Sequence, residues 1–232
     1  MSHPLDILRT PVVDPSAWRA RDVAATQDWA LTINSAQTDE LVESVARWRQ
    51  QGLSPGSLTR RDALLPALGS LLAQARSALF EGRGFIVIRG LPVERWSVDE
   101  AALAYWAIGT HLGDGVAQSA AGDLLGHVCD RGPRTGFAAG RGYLSNARLP
   151  FHSDHADLVG LLCYRKAKQG GDSLLASSAM IYNTVLAEHP EYLDYYYRGF
   201  HWTRNGEEDS AEAAHSGERI PIFTFANGQL SC

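Results

Sequence analysis

Residues 151–178, FHSDHADLVGLLCYRKAKQGGDSLLASS, constrain the fold more than any other stretch of this chain. A His-x-Asp pair, His152 and Asp154, stands at the mouth of an apolar run, 158–164, and a basic end and a Gly-Gly-Asp-Ser turn follow. A short apolar run bounded by such turn residues reads as a buried strand. Successive side chains of a strand alternate faces, so positions i and i+2 project together. An imidazole and a carboxylate projected together supply two of the three ligands of a 2-His-1-carboxylate site for non-haem Fe(II), whose open positions suit oxygenase chemistry. The plainer reading of His152 and Asp154 is an ion pair at a strand end. With 8 histidines and 26 acidic residues in the chain, a lone His-x-Asp arises readily by chance.

The first half of the chain is helical in pattern. Residues 1–34 are punctuated by proline and read as an irregular arm, with Trp18 and Trp29 as packing anchors. A helix is expected from Thr38, which can cap it; Asp39 and Glu40 suit its positive end, and Leu41, Val45 and Trp48 share one face. A second helix is expected over 64–80, with Leu68, Leu71, Leu72, Ala75 and Leu79 as its stripe and Gly82 and Gly84 as its stop. A short buried strand follows at 85–88. Ser97 and Glu100 then match a capping box, which opens a third helix running to about Leu112.

Beyond Gly113 the segments shorten. Strands are expected at 124–129, 151–154, 158–164 and 173–176, and a Gly-rich loop at 132–142. Helical signals return at 179–186 and 191–197, and strands at 200–203 and 220–225. Asn227-Gly228 after an apolar run predicts a type I′ hairpin turn. Its return strand begins at Gln229 and Leu230 while the sequence stops at Cys232, so the expectation is a sheet cut at its edge, a geometry that invites a second copy to pair there as a homo-oligomer. Residues 1–117 therefore read as an arm and helices packed on a core, and residues 118–232 as the first part of that core, in one structural domain.

Bulk properties narrow the function. Hydrophobic residues make up 45% and charged residues 20%, which provides for a proper core. The formal net charge of -5 argues against a general nucleic-acid binder. Three cysteines, an odd number without a CxxC, suit a reducing compartment. The start MSHPLDILRT has no signal-peptide pattern, and no apolar run is long enough to span a bilayer, so a soluble cytoplasmic protein is expected.

From about Gln118 to Leu230 the chain resembles the TauD/TfdA family of Fe(II)- and 2-oxoglutarate-dependent dioxygenases. The residues that carry the resemblance are Arg141-Gly142-Tyr143, Phe151-His152-Ser153-Asp154, Leu161-Leu162-Cys163, Gly170-Gly171-Asp172-Ser173 and Ile181-Tyr182-Asn183. It implies a mainly β fold with N-terminal helices (α+β), its core a double-stranded β-helix (jelly roll), incomplete at the C-terminus. It implies Fe(II) and 2-oxoglutarate as cofactors, and oxidation of a small organic substrate by molecular oxygen, by hydroxylation or a related C–H activation.

His152 and Asp154 match the family's first two iron ligands. Ser173 sits where the family has a Thr or Ser hydroxyl on the far carboxylate of 2-oxoglutarate; a turn hydroxyl bonding its own backbone is the other reading. The family's second His and its 2-oxoglutarate-binding Arg come later than any residue present, which leaves a truncated, non-catalytic binding protein as the rival expectation. His201 and His215 are off the family's ligand position, and His127-x-Cys129 lacks the second pair that a structural zinc site needs. Tyr143, Asn146 and His155 are candidates for lining the substrate pocket, with loop polarity as the alternative for each. Cys163 reads as a small buried hydrophobe, and Arg165, Lys166 and Lys168 as a solvated strand end.

Overall fold

The computed structural model describes residues 7–119, 122–129, 148–154, 156–202 and 215–232. They divide into two compact units whose chain segments interleave: one holds residues 1–20, 127–153 and 174–232, the other Arg21–Gly126 and Asp154–Ser173. A short helix, α1 (Ala20–Ala24), begins at the last residue of the first unit's N-terminal segment and continues into the second unit.

The second unit is built on a parallel strand pair and three longer helices. Strand β1 (Ala30–Thr32) pairs with β2 (Val87–Arg89) in the register Ala30 to Val87, Leu31 to Ile88 and Thr32 to Arg89. Parallel neighbours need a crossover, and here it contains α2 (Ser35–Gln50) and α3 (Gly69–Phe80). The cap of α2 is Asn34, not Thr38. Asn34 accepts from the Gln37 amide while the Gln37 side chain accepts from the Asn34 amide, a reciprocal box that Thr38 has no partner to make. Leu41, Val45 and Trp48 form the buried stripe of α2 as the spacing predicts.

Helix α3 begins five residues later than its apolar pattern suggests. Pro66 falls within the predicted first turns, and the free amides of Ala67 and Leu68 are taken by the Glu40 carboxylate (2.8 and 3.0 Å). Glu40, read from the sequence as a dipole partner for its own helix, therefore caps the approach to the next one. Helix α4 (Val98–Gly109) starts with the predicted capping box, Ser97 with Glu100, and packs on α2. Its buried face is Ala101, Leu103, Ala104, Ala107 and Ile108. Ahead of the strands, Arg83 forks onto Asp28 at 2.8 and 2.6 Å, which together with the Thr26 hydroxyl holds the Asp28 pKa down to about 2.

His111, just past α4, is a half-buried structural imidazole with Nε2 2.8 Å from the Ala63 carbonyl. A carbonyl only accepts, so Nε2 carries the hydrogen. Loss of hydration lowers the ring's pKa below 6.5, outweighing the carbonyl contact. The neutral ring is thus favoured in the fold: its contribution to stability is complete above the unfolded pKa and is lost as pH falls through the depressed folded value. Melting temperature is expected to drop between about pH 7.5 and about pH 5.5, and His111→Gln is expected to flatten that slope in thermal melts; an unchanged slope would remove His111 as its source.

The other unit has its own small core of Tyr182, Leu193, Tyr197 and Phe223. Helix α5 (Ser178–Glu188) is capped by Ser177, whose hydroxyl accepts from the Met180 amide, and α6 (Leu193–Arg198) follows a turn at Pro190. Tyr182 meets Phe223 edge-on at 5.5 Å and donates its hydroxyl hydrogen to the Leu8 carbonyl at 2.7 Å. Asn183 holds both backbone groups of Val12, at 2.8 and 2.7 Å, as a strand partner does. The N-terminal arm is therefore fixed by side-chain amide and hydroxyl groups instead of a sheet.

Strands β3 (Thr224–Ala226) and β4 (Gln229–Ser231) form the predicted hairpin, with Asn227 at φ 53° and Gly228 at φ 79°, the pair of positive angles a type I′ turn requires. Phe200 and Ile220 form an isolated antiparallel bridge. The strands expected at 124–129, 151–154, 158–164 and 173–176 are absent among the described residues. Extension becomes a strand only when a neighbour takes up the exposed N–H and C=O groups, and no described segment pairs with these. Among the described residues the structure thus shows helices and a few strands, and no jelly roll. No helix among the described residues is long and apolar enough to cross a membrane.

Candidate functional site

His152 lies in the irregular stretch before the apolar run, exposed, with its ring Nδ1 2.8 Å from the Pro150 carbonyl. The carbonyl can only accept, so Nδ1 carries the hydrogen and the lone pair sits on Nε2. A backbone carbonyl on one ring nitrogen is how proteins set the tautomer that presents the other to a metal. The chemistry of this imidazole therefore fits an Fe(II) ligand. Asp154, also exposed, begins the segment that belongs to the helical unit; the boundary between the units falls between Ser153 and Asp154.

The apolar run keeps the alternation of an extended chain. Leu158, Leu162 and Tyr164 are half-buried, and Leu162 and Tyr164 pack against the core of the helical unit. Val159 and Leu161 on the opposite face are exposed, at 57% and 74%, and so is Cys163. Cys163 is thus not the buried hydrophobe its neighbours suggest: the odd-numbered face of the run points away from the core. Arg165, Lys166 and Lys168 are exposed as expected.

Ser173 ends the same segment. It is exposed and follows Gly170 and Gly171, which stand at φ 71° and 79°. Two consecutive residues in the left-handed region make a turn that side-chain-bearing residues reach only with strain. Asp154 and Ser173, a proposed metal ligand and a proposed cosubstrate contact, are therefore the two ends of one piece of chain held by the helical unit.

Tyr143, Asn146 and His155, with the Gly-rich loop 132–142, lie outside the described residues. His201 has Nδ1 3.0 Å from the Ser216 carbonyl, and the Cys129 thiol contacts the His127 carbonyl at 3.9 Å. Among the described residues no group of three His, Cys, Asp or Glu side chains is gathered to hold a metal ion. His152 and Asp154 supply two suitable donors, and no third is assigned from these residues. Two further contacts lie outside the motif, Tyr164 on the Trp96 carbonyl and Gly160 against Tyr105. The one available sign was a glycine inside an apolar extended run, which marks a close approach.

Comparison with known proteins brings the chain into a family. Residues 50–227 match the taurine catabolism dioxygenase TauD, TfdA family. The chain is 38% identical over 229 residues to FR-33289 synthase of Streptomyces rubellomurinus (strain ATCC 31215), covering 98% of this chain and 67% of that protein. It is 31% identical over 189 residues to a taurine hydroxylase-like protein of Stachybotrys chartarum (strain CBS 109288 / IBT 7711), covering 78% of this chain. The match spans only 49% of that second relative's length.

Proposed function

This chain belongs to the taurine catabolism dioxygenase TauD, TfdA family, and we propose that the protein is an Fe(II)- and 2-oxoglutarate-dependent dioxygenase that hydroxylates a small organic substrate. The observation that carries the reading is that the matched span contains both His152-Ser153-Asp154 and Gly170-Gly171-Asp172-Ser173. The tautomer fixed by the Pro150 carbonyl supports His152 as a ligand through Nε2. The relative named as taurine hydroxylase-like supports hydroxylation as the reaction type.

In this reading His152 and the Asp154 carboxylate would hold the iron, Ser173 would donate its hydroxyl hydrogen to the far carboxylate of 2-oxoglutarate, and Tyr143, Asn146 and His155 would line the substrate pocket. Iron with 2-oxoglutarate, when bound, would supply the oxidising power, with one oxygen atom of O2 going to the substrate C–H bond and the other to succinate as CO2 is lost. The protein's share is geometry, holding donors and cosubstrate in fixed relation. The same membership carries the expectation of a jelly-roll core.

Anaerobic titration tests the proposal. Fe(II) is added to the metal-free protein and 2-oxoglutarate after it, and the expected result is 2-oxoglutarate binding that requires Fe(II), with succinate formed when air is admitted. Equal binding of 2-oxoglutarate with and without Fe(II) would overturn the reading.

A further inference from the structure

We propose that the helical unit is a positioning platform for Asp154–Ser173, and that Tyr164, Gly160 and Tyr105 are the positioning residues that set where Asp154 and Ser173 stand. The inference deepens the dioxygenase reading and rests on it. It starts from two contacts between this segment and α4 or its approach. The Tyr164 hydroxyl donates to the Trp96 carbonyl at 2.8 Å, one residue before the Ser97 cap of α4. Gly160 lies so close to Tyr105 that a Cβ there would stand 2.5 Å from the Tyr105 hydroxyl oxygen and 3.3 Å from Cζ.

As the segment advances from Gly160 to Tyr164, its contacts go back along the chain from Tyr105 to Trp96, so it runs antiparallel to α4. Trp96 and Ser97 are extended and α4 itself begins at Val98, so the segment passes about two turns of the helix and the extended residues ahead of it. Between the two contacts Leu162 packs into the core of the same unit. Tyr105 is half-buried, and that burial raises the pKa of its hydroxyl.

Three fixed points in five residues determine register. A slip by one position would exchange the Leu162 and Tyr164 face for that of Val159, Leu161 and Cys163, and so reverse the direction of every side chain in the segment. Asp154 lies six residues before the first contact and Ser173 nine after the last, and both move with it. A hydroxyl on a backbone carbonyl and a missing Cβ act here through the chain, by fixing the segment that carries both groups.

The experiment compares the protein that carries this sequence, extended through the family's later His and Arg, with its Tyr164→Phe, Gly160→Ala and double Gly160→Ala/Tyr105→Phe variants. Amide hydrogen exchange is followed in the metal-free protein, and Fe(II)-dependent 2-oxoglutarate affinity is measured anaerobically. Tyr164→Phe and Gly160→Ala are each expected to speed exchange in residues 154–173 by roughly tenfold, with α2–α4 unaffected. Each is expected to weaken 2-oxoglutarate binding by about 10- to 100-fold, and removal of the Tyr105 hydroxyl in the double variant is expected to restore both readouts toward wild type. Should Gly160→Ala unfold the unit, Tyr164→Phe, which deletes a single oxygen, still decides the matter.

Unchanged exchange in 154–173 overturns the anchor. Faster exchange with unchanged 2-oxoglutarate affinity reduces these contacts to structural ones and overturns the positioning role alone. If wild type shows no Fe(II)-dependent binding, the dioxygenase reading fails and the positioning role fails with it.

Discussion

His152→Ala is expected to lower Fe(II)-dependent succinate formation by more than about 100-fold, since partners that merely orient a metal ligand already account for about 10- to 100-fold. The expectation follows from what the ring does. Its Nδ1 is engaged by the Pro150 carbonyl, so Nε2 is the nitrogen with a lone pair to give. Alanine leaves Asp154 as the one donor of the motif, and a hard carboxylate alone suits iron no better than magnesium or calcium. The loss should therefore appear as lost Fe(II) affinity in an anaerobic titration, with the melting temperature of the metal-free protein unchanged, because the exposed ring contributes no core packing. His201→Ala is the control. That ring has Nδ1 on the Ser216 carbonyl and lies off the motif, and its removal should leave succinate formation within about twofold of wild type. Succinate formation that persists in His152→Ala would sink the ligand assignment, and loss in His201→Ala would move it.

What could be read from the sequence was what is local. The stripe Leu41, Val45 and Trp48, the box Ser97 with Glu100, and the Asn227-Gly228 turn each depend on residues within a few positions, and each formed as expected. Errors arose where a local rule had two solutions. Asn34 and Thr38 are both capping residues, and only the reciprocal Gln37 side chain decides between them. With Thr38 taken as the cap, Glu40 falls in the first turn of α2 and the dipole rule accounts for it; in the structure the first turn of α2 holds no acidic residue and Glu40 reaches the amides of Ala67 and Leu68, so the late start of α3 was hidden.

The extended segments illustrate the limit more sharply. Alternation between Leu162 and Tyr164 on one side and Leu161 and Cys163 on the other predicts an extended backbone, yet it carries no information about which distant groups complete a ladder. The site shows the same division. His152, Asp154 and Ser173 were legible as a motif through a resemblance. The Tyr164 contact was not, because its acceptor is a backbone carbonyl 68 residues away and every residue has one.

Trp48→Ala is expected to cost the helical unit about 3–5 kcal/mol, the largest stability loss among single substitutions considered. Trp48 is 1% exposed in the core formed by α2, α3 and α4, and its indole N–H donates to the Asp62 carbonyl at 3.2 Å. Alanine leaves a cavity where the indole was and an acceptor without its donor, and the two effects act together. Asp62 belongs to the turn ahead of α3, so the damage should spread beyond α2. Urea unfolding followed by circular dichroism measures it.

Trp29→Ala is the comparison that gives the number meaning. Trp29 is only half-buried; its indole N–H meets the Thr26 carbonyl, and Arg89 lies 5.4 Å from its ring. A cation over an exposed ring is worth about 0.5–1 kcal/mol, so its removal should cost well under half as much. From the sequence Trp29 reads as a packing anchor of the N-terminal arm and Trp48 as one position of a helix stripe, and their surroundings reverse that ranking. Equal losses for the two would mean that the core is organised around something other than Trp48. A loss below about 1 kcal/mol for Trp48 would mean that the helices close over the gap, which a core at ordinary packing density does not do.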